Sequence, residues 1–183
     1  LAISNATGLG TTASGTTVAD GAALELSGGI TIGAEALTLN GTGISSGGAL
    51  RNISGDNTYA GAITLASDSR INSDSGLLTL NVASGNAITG TFNITFGGAN
   101  NISVADPIDT STGTLTKDGS GTLFLSGANT YTGATTISAG IIRASHASAF
   151  GTTAGGITVA SGAALQLSGG ITIGAEALTL NGT

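Results

Sequence analysis

Apolar and polar residues alternate along this chain in short bursts. Leu24-Glu25-Leu26, Ile30-Thr31-Ile32 and Leu37-Thr38-Leu39 each set two apolar side chains around a polar one, and they recur in close succession. A period of two belongs to strands with one buried face. Gly-rich corners such as Ser27-Gly28-Gly29 and Gly33-Ala34 separate the triplets, so three triplets make a coil of roughly 20 residues whose short sheets close around one axis. Glycine reaches positive φ without a Cβ penalty, which a sharp corner needs. Hairpins would use the same glycines, but they favour Asn-Gly or Asp-Gly turns, and the corners here are mostly Gly-Gly, Gly-Ala or Ser-Gly. The pattern predicts an all-β parallel β-helix in preference to an antiparallel sandwich.

The strands grow longer and more apolar between Arg70 and Val104, at Leu77–Val82, Thr91–Phe96 and Asn101–Val104. At spacing two, Phe92, Ile94 and Phe96 are expected on one face, stacked on neighbouring coils. The single proline, Pro107, cannot donate to a central ladder and predicts a loop. Leu1–Leu9 and Ile141–Phe150 read as irregular corners.

A longer beat overlies the short one. Residues 1–42 return as 142–183 with 31 of 42 positions identical, Gly10 aligning with Gly151. The whole of 1–183 is therefore read as one β-helix segment of a larger tandem array, with a long repeat at 1–141 and a partial second copy at 142–183. Seven coils per period would give about nine coils and, at about 4.8 Å per coil, a rod roughly 43 Å long. The chain opens without an initiator Met, so an export signal is expected elsewhere.

One stretch is more specific than the rest. Leu115-Thr116-Lys117, Gly119, Gly121-Thr122-Leu123, Leu125-Ser126-Gly127, Asn129-Thr130-Tyr131-Thr132-Gly133 and Thr135-Thr136-Ile137 resemble the passenger-associated, or autotransporter-associated, β-strand repeat of bacterial surface proteins. A weaker copy stands earlier, at Ser54–Leu65, and places Asn57, Tyr59 and Gly61 where the later one has Asn129, Tyr131 and Gly133. Those six residues form the expected structural signature. The earlier copy departs from the pattern at Arg51 and Asn52. The resemblance implies a right-handed parallel β-helix in a secreted or surface-displayed bacterial protein, usually an adhesin, with the repeat forming the stalk. Right-handed parallel crossovers are also the general rule.

Composition narrows the partners. Thirty-two glycines, six aromatic residues and 8% charge do not suit one aromatic-rich core, while 40% hydrophobic residues are too many for disorder. A net charge of −6 opposes nucleic-acid binding, which needs clustered Lys or Arg. With no cysteine, neither disulfides nor thiolate metal sites are available. No run of about 18 apolar residues predicts membrane insertion of this segment.

Candidate chemistry is sparse. Asp106, Asp109, Lys117 and Asp118 form the densest ionisable cluster, and their convergence in a groove would favour a β-helical carbohydrate-active enzyme. Turn contexts at Pro107 and Gly119 favour a structural role instead. His146 is the single histidine and aligns with Asn5, so it reads as a solvent-facing corner residue. The Gly-Gly-x-Gly-x-Asp calcium nonapeptide is absent. Six Asn-x-Ser/Thr sequences follow from composition and are not taken as glycan sites. Outward Thr31, Thr38, Thr172 and Thr179 could form a regular row of the ice-binding kind, except that Glu25, Glu35 and Glu176 interrupt it.

The expectation is a non-enzymatic structural stalk or adhesive fibre segment, extracellular and on the bacterial surface, with no cofactor and no metal. The rival readings are a subunit of a self-assembling filament and the carbohydrate-active enzyme. Partners would be neighbouring repeats, other copies of the chain, or host and biofilm glycans. The polar edge at Asn57 and Asn129 is the first place to look for a ligand.

Overall fold

Inward apolar residues at alternate positions can be covered only by another strand lying above them, so each coil of this chain buries its interior against the next. The computed structural model describes residues 1–182. It contains twenty short strands and one 3-10 turn at Ile44–Ser46. Every strand pairing among the described residues is parallel. The chain is an all-β parallel β-solenoid, and among the described residues no hairpin joins consecutive strands.

The strands stack in files. The long file contains Ala2–Ile3, Leu24–Ser27, Leu50–Ser54, the second half of Ile63–Ser73, Ile94–Gly97, Leu115–Lys117, Thr135–Ile137, Ile157–Val159 and Leu178–Leu180. A second file holds Thr31–Ile32, Asn57–Tyr59, Leu78–Leu80, Ile102–Val104, Thr122–Leu125, Ile141–Ala144 and Ala164–Leu167. A short file runs through Thr16–Val18, Leu37–Gly41, the first half of Ile63–Ser73, Ile88–Gly90 and Ile108–Asp109. The strand Ile63–Ser73 bends across a corner and joins the long and short files into one 13-stranded sheet, with the second file as a 7-stranded sheet beside it.

Nine rungs in the long file bound eight turns, one fewer than the coils expected. Successive rungs are unevenly spaced, at about 22 residues on average, slightly more than the triplet spacing predicts. The shortest step runs from Leu115 to Thr135. The longest, from Leu24 to Leu50, carries the extra loop around Ile44–Ser46.

Inside the solenoid, side chains of one rung touch their equivalents above and below. Leu24, Leu50, Ile71, Phe96, Lys117, Ile137 and Val159 form one continuous inward stack, and all are buried. Deep burial contributes roughly 1.5–3 kcal/mol per large aliphatic side chain, and each contribution is made against a neighbouring coil. The predicted triplets are strands with their apolar positions inward, and Pro107 sits at a corner where its carbonyl accepts the Ala87 N–H at 2.9 Å.

Two expectations change. Phe92 lies outside the strand Ile94–Gly97 and is 38% exposed, so the expected three-residue stack reduces to Ile94 and Phe96. Of the two stretches expected to be irregular corners, Leu1–Leu9 contains the rung Ala2–Ile3, stacked on Leu24–Ser27, and Ile141–Phe150 opens with a regular rung, Ile141–Ala144, between Thr122–Leu125 and Ala164–Leu167. The Ile142 and Ala144 side chains of that rung are buried, so the inward alternation of the neighbouring rungs continues through it.

Glycine serves two separate needs. Gly170 has φ +68° and open space around a Cβ, whereas a Cβ on Gly133, whose φ is not positive, would stand 2.2 Å from the Gly113 carbonyl of the coil below. Gly133→Ala is therefore expected to destabilise by about 2–3 kcal/mol through forced coil separation, and Gly170→Ala by about 1 kcal/mol through φ strain. Denaturant midpoints of the two variants check the order.

Candidate functional site

Asn57 and Tyr59 begin and end a strand of the second file, Asn129 and Tyr131 lie in the irregular stretch before Thr135–Ile137, and all four side chains are buried. Asn57 accepts the Ile30 N–H of the previous coil at 2.7 Å, and Asn129 accepts the Ile108 N–H in the same way at 2.8 Å. The Asn57 amide nitrogen donates to the Ser54 and Gly55 carbonyls and to Asn52, and that of Asn129 donates to the Ala149 carbonyl of the next coil. Each carboxamide thus replaces ladder partners that a corner cannot supply.

Tyr59 and Tyr131 fill the space beside them. The Tyr59 hydroxyl donates to the Glu35 carbonyl at 2.8 Å, and Tyr131 shares a 2.8 Å bond with the Thr135 hydroxyl. Burial, reinforced by Glu35 beside Tyr59, pushes both phenols well above their usual range. Gly61 and Gly133 allow the following backbone to press onto the Glu35 and Gly113 carbonyls. All four polar signature side chains are buried, so Asn57 and Asn129 turn their carboxamides into the coils and not toward an outer polar edge.

The acidic cluster does not converge. Asp106 accepts the Val82 N–H at 2.7 Å, and Asp109 meets Asn86 at 3.5 Å. Lys117 points the other way, in the inward stack between Phe96 and Ile137, where it is 2% exposed. Its ammonium donates to the carbonyls of Asp118, Gly119 and Ala139. Burial lowers its pKa to about 8, against the opposing pull of Asp118.

Asp118 instead forms a two-pronged ion pair with Arg70, at 2.6 and 2.7 Å, from two coils away. The pair passes over Gly97, where a Cβ would lie 2.0 Å from the guanidinium. Arg70 also bonds Asn72, Asn72 bonds Asp74, and Asp74 pairs with Arg51, which reaches Glu25 at 3.3 Å. This ladder of charges along the axis escaped the sequence reading, although charges one or two coil lengths apart are its signal. The departure of the earlier signature copy at Arg51 and Asn52 has the same origin. Arg51 faces outward into the ladder, and buried Asn52 accepts the Asn57 amide within the same coil.

His146 is half-buried, with Nδ1 accepting the Ser148 N–H at 3.0 Å. Asn5 accepts the Thr7 N–H at 2.9 Å in the aligned turn. The two residues do the same local job, so the histidine stands at a corner as expected but is only partly solvent-facing and shapes the turn. On the outer side of the long file, Thr95, Thr116, Thr136, Thr158 and Thr179 lie in register, a threonine file one residue wide. The row expected from Thr31, Thr38, Thr172 and Thr179 does not form, since Thr31 lies in the second file, Thr38 in the short file and Thr179 in the long one; Glu25 stands in a different column of the long file, opposite Arg51.

Corners closed by buried carboxamides, ions paired along the axis and an outer file of threonines define a structural solenoid. Residues 115–144 match the passenger-associated-transport-repeat family. The chain is also 36% identical over 124 residues to the adhesin BmaC autotransporter of Brucella suis biovar 1, an alignment covering 67% of this chain and 4% of that protein. No solved structure matches. The chain thus carries a passenger-associated-transport repeat and is distantly similar to an autotransporter adhesin, of whose length it spans a small fraction.

Two outcomes follow from the buried polar groups. Asn57→Ala strands the Ile30 N–H and should cost about 2–3 kcal/mol in chemical denaturation, with Asn129→Ala similar. Between about pH 8 and 10 the unfolded chain still holds the Lys117 proton that the folded chain has released, so stability should rise with pH by at most about 3 kcal/mol. Above about pH 10 the unfolded tyrosines ionise while the buried ones do not, and the slope should reverse. Thermal melts of wild type and Lys117→Met across this range check the assignment, because the variant should lose the rise.

Proposed function

We propose that the chain is a segment of the stalk or adhesive fibre of a secreted or surface-displayed bacterial protein, and that it performs no catalysis. The cross-section is read as three-faced and right-handed. The long, second and short files supply the faces, and the general preference of parallel crossovers supports the hand. The long repeat at 1–141 is one unit of a tandem array.

One observation carries the reading: the ionisable and amide side chains in these clusters are spent on holding coils together. Lys117, the base an enzyme reading would need, lies in the core with carbonyl partners. Asp106 and Asp109 bond separately to the coil below, Asp106 to the Val82 N–H and Asp109 to Asn86. The passenger-associated repeat and the similarity to an adhesin support surface display.

The threonine file is the surface best suited to glycans or to another rod, since evenly spaced hydroxyls both donate and accept. Replacing Thr116, Thr136 and Thr158 together by Val should leave the thermal midpoint within a few degrees and lower retention on host-cell or biofilm polysaccharide by about tenfold. Retention of the wild type is measured on immobilised polysaccharide, with sugar release followed in the same sample. Release of reducing or unsaturated sugars would overturn the non-catalytic reading, and unchanged retention of the triple variant would remove the threonine file from the adhesive one.

A further inference from the structure

The two copies of the repeat do not occupy the same faces. Leu24 is followed in register by Leu50, Ile71, Phe96, Lys117, Ile137 and Val159, six turns along the long file. The residue that repeats Leu24 in sequence is Leu165, which comes after Val159 and lies in the second file, paired with Ile142. The same shift holds elsewhere. Thr16–Val18 and Leu37–Gly41 belong to the short file, whereas their copies Ile157–Val159 and Leu178–Leu180 belong to the long one. One long repeat therefore spans six turns and one face.

The copies also differ in what covers them. Residues 24–39 and 165–180 are identical except for Glu25 and Gln166. In the first copy Leu26 and Leu39 are fully buried beneath the coil of residues 50–65, whereas their copies Leu167 and Leu180 are 53% and 66% exposed. Leu165, Leu167, Ile173 and Leu178 line an open apolar hollow with Glu176 at its edge. The backbone turn at Glu176 repeats that at Glu35, with a 2.7 Å bond from each glutamate N–H to the glycine carbonyl two residues back. In the first copy this turn receives the Tyr59 hydroxyl and the close approach of Gly61. The end face thus presents, rotated by one face, nearly the same surface that residues 50–65 already cover once.

We infer that this end face is an acceptor for residues 50–65 of a further copy of the sequence, and that each copy added advances the array by six and one-third turns. The long repeat is then a screw operation. Each copy rises about 30 Å and turns by about 120°, and the fourth copy regains the direction of the first after about 90 Å. The exposed loop at Ile44–Ser46 and the threonine file would be offered on three sides in succession, which suits multivalent attachment from any direction. The inference rests on the three-faced cross-section proposed above.

The test appends residues 43–183 after Thr183 and determines the structure of the extended chain by crystallography or electron cryomicroscopy. The expected result is a continuous solenoid whose second Ile44-type loop emerges one face away from the first. A three-sided solenoid with both loops on one face would overturn the screw alone; a cross-section that is not three-sided would overturn the underlying reading as well. The variant Leu178→Ala supplies a second measurement. It should leave the melting midpoint of the original chain almost unchanged and lower that of the extended chain by several degrees. Equal effects in the two chains would overturn the acceptor role of the end face.

Discussion

The structure depends on one constraint: each coil must lie close enough to the next for parallel backbone hydrogen bonds to form along every file. At a spacing of about 4.8 Å, a corner has no room for a side chain that points along the axis. Gly61, Gly121 and Gly133 meet this limit, since a Cβ on any of them would fall within 2.2 Å of a carbonyl oxygen in the preceding coil. The glycine content that makes the composition unusual for a globular core is thus a requirement of stacking.

Stacking creates a second problem, because a corner breaks the ladder and leaves buried N–H and C=O groups without partners. Asn57 and Asn129 solve it with carboxamides that bond across coils, and Lys117 solves it with an ammonium placed among three carbonyls. The surface ions do related work with less burial. Arg70 spans two coils to reach Asp118, and Arg51 ties Glu25 to Asp74, so charge holds the rod together along its length. Exposed pairs of this kind are individually weak, and networks fare better.

Much of this was legible from the sequence. Alternation identified the strands because a half-buried strand shows its period within three residues, and the Asn-Thr-Tyr motif, present twice, picked out the carboxamides and the Tyr59 phenol that bond between coils. The number of turns was less legible, since inserted loops such as that at Ile44–Ser46 make the step from Leu24 to Leu50 much longer than the step from Leu115 to Thr135. The rotation between copies follows from this uneven spacing and emerges only when register is known. Lys117 was misplaced for another reason. Alternation in Leu115-Thr116-Lys117 sets the lysine on the inward side with Leu115, but its charge suggested the surface, and the carbonyl nest that receives it belongs to residues on two coils.

If stability is a sum of coil-on-coil interfaces, the near-identical stretches 24–39 and 165–180 must differ in protection within one molecule. Hydrogen exchange of the chain, read by mass spectrometry or nuclear magnetic resonance, compares them directly. Amides of Leu24–Ser27 and Leu37–Gly41, covered on both sides, should exchange at least about a hundredfold more slowly than those of Ala164–Leu167 and Leu178–Leu180, which are covered on one. Equal protection of the two stretches would mean that local sequence, and not the neighbouring coil, holds the strands in place.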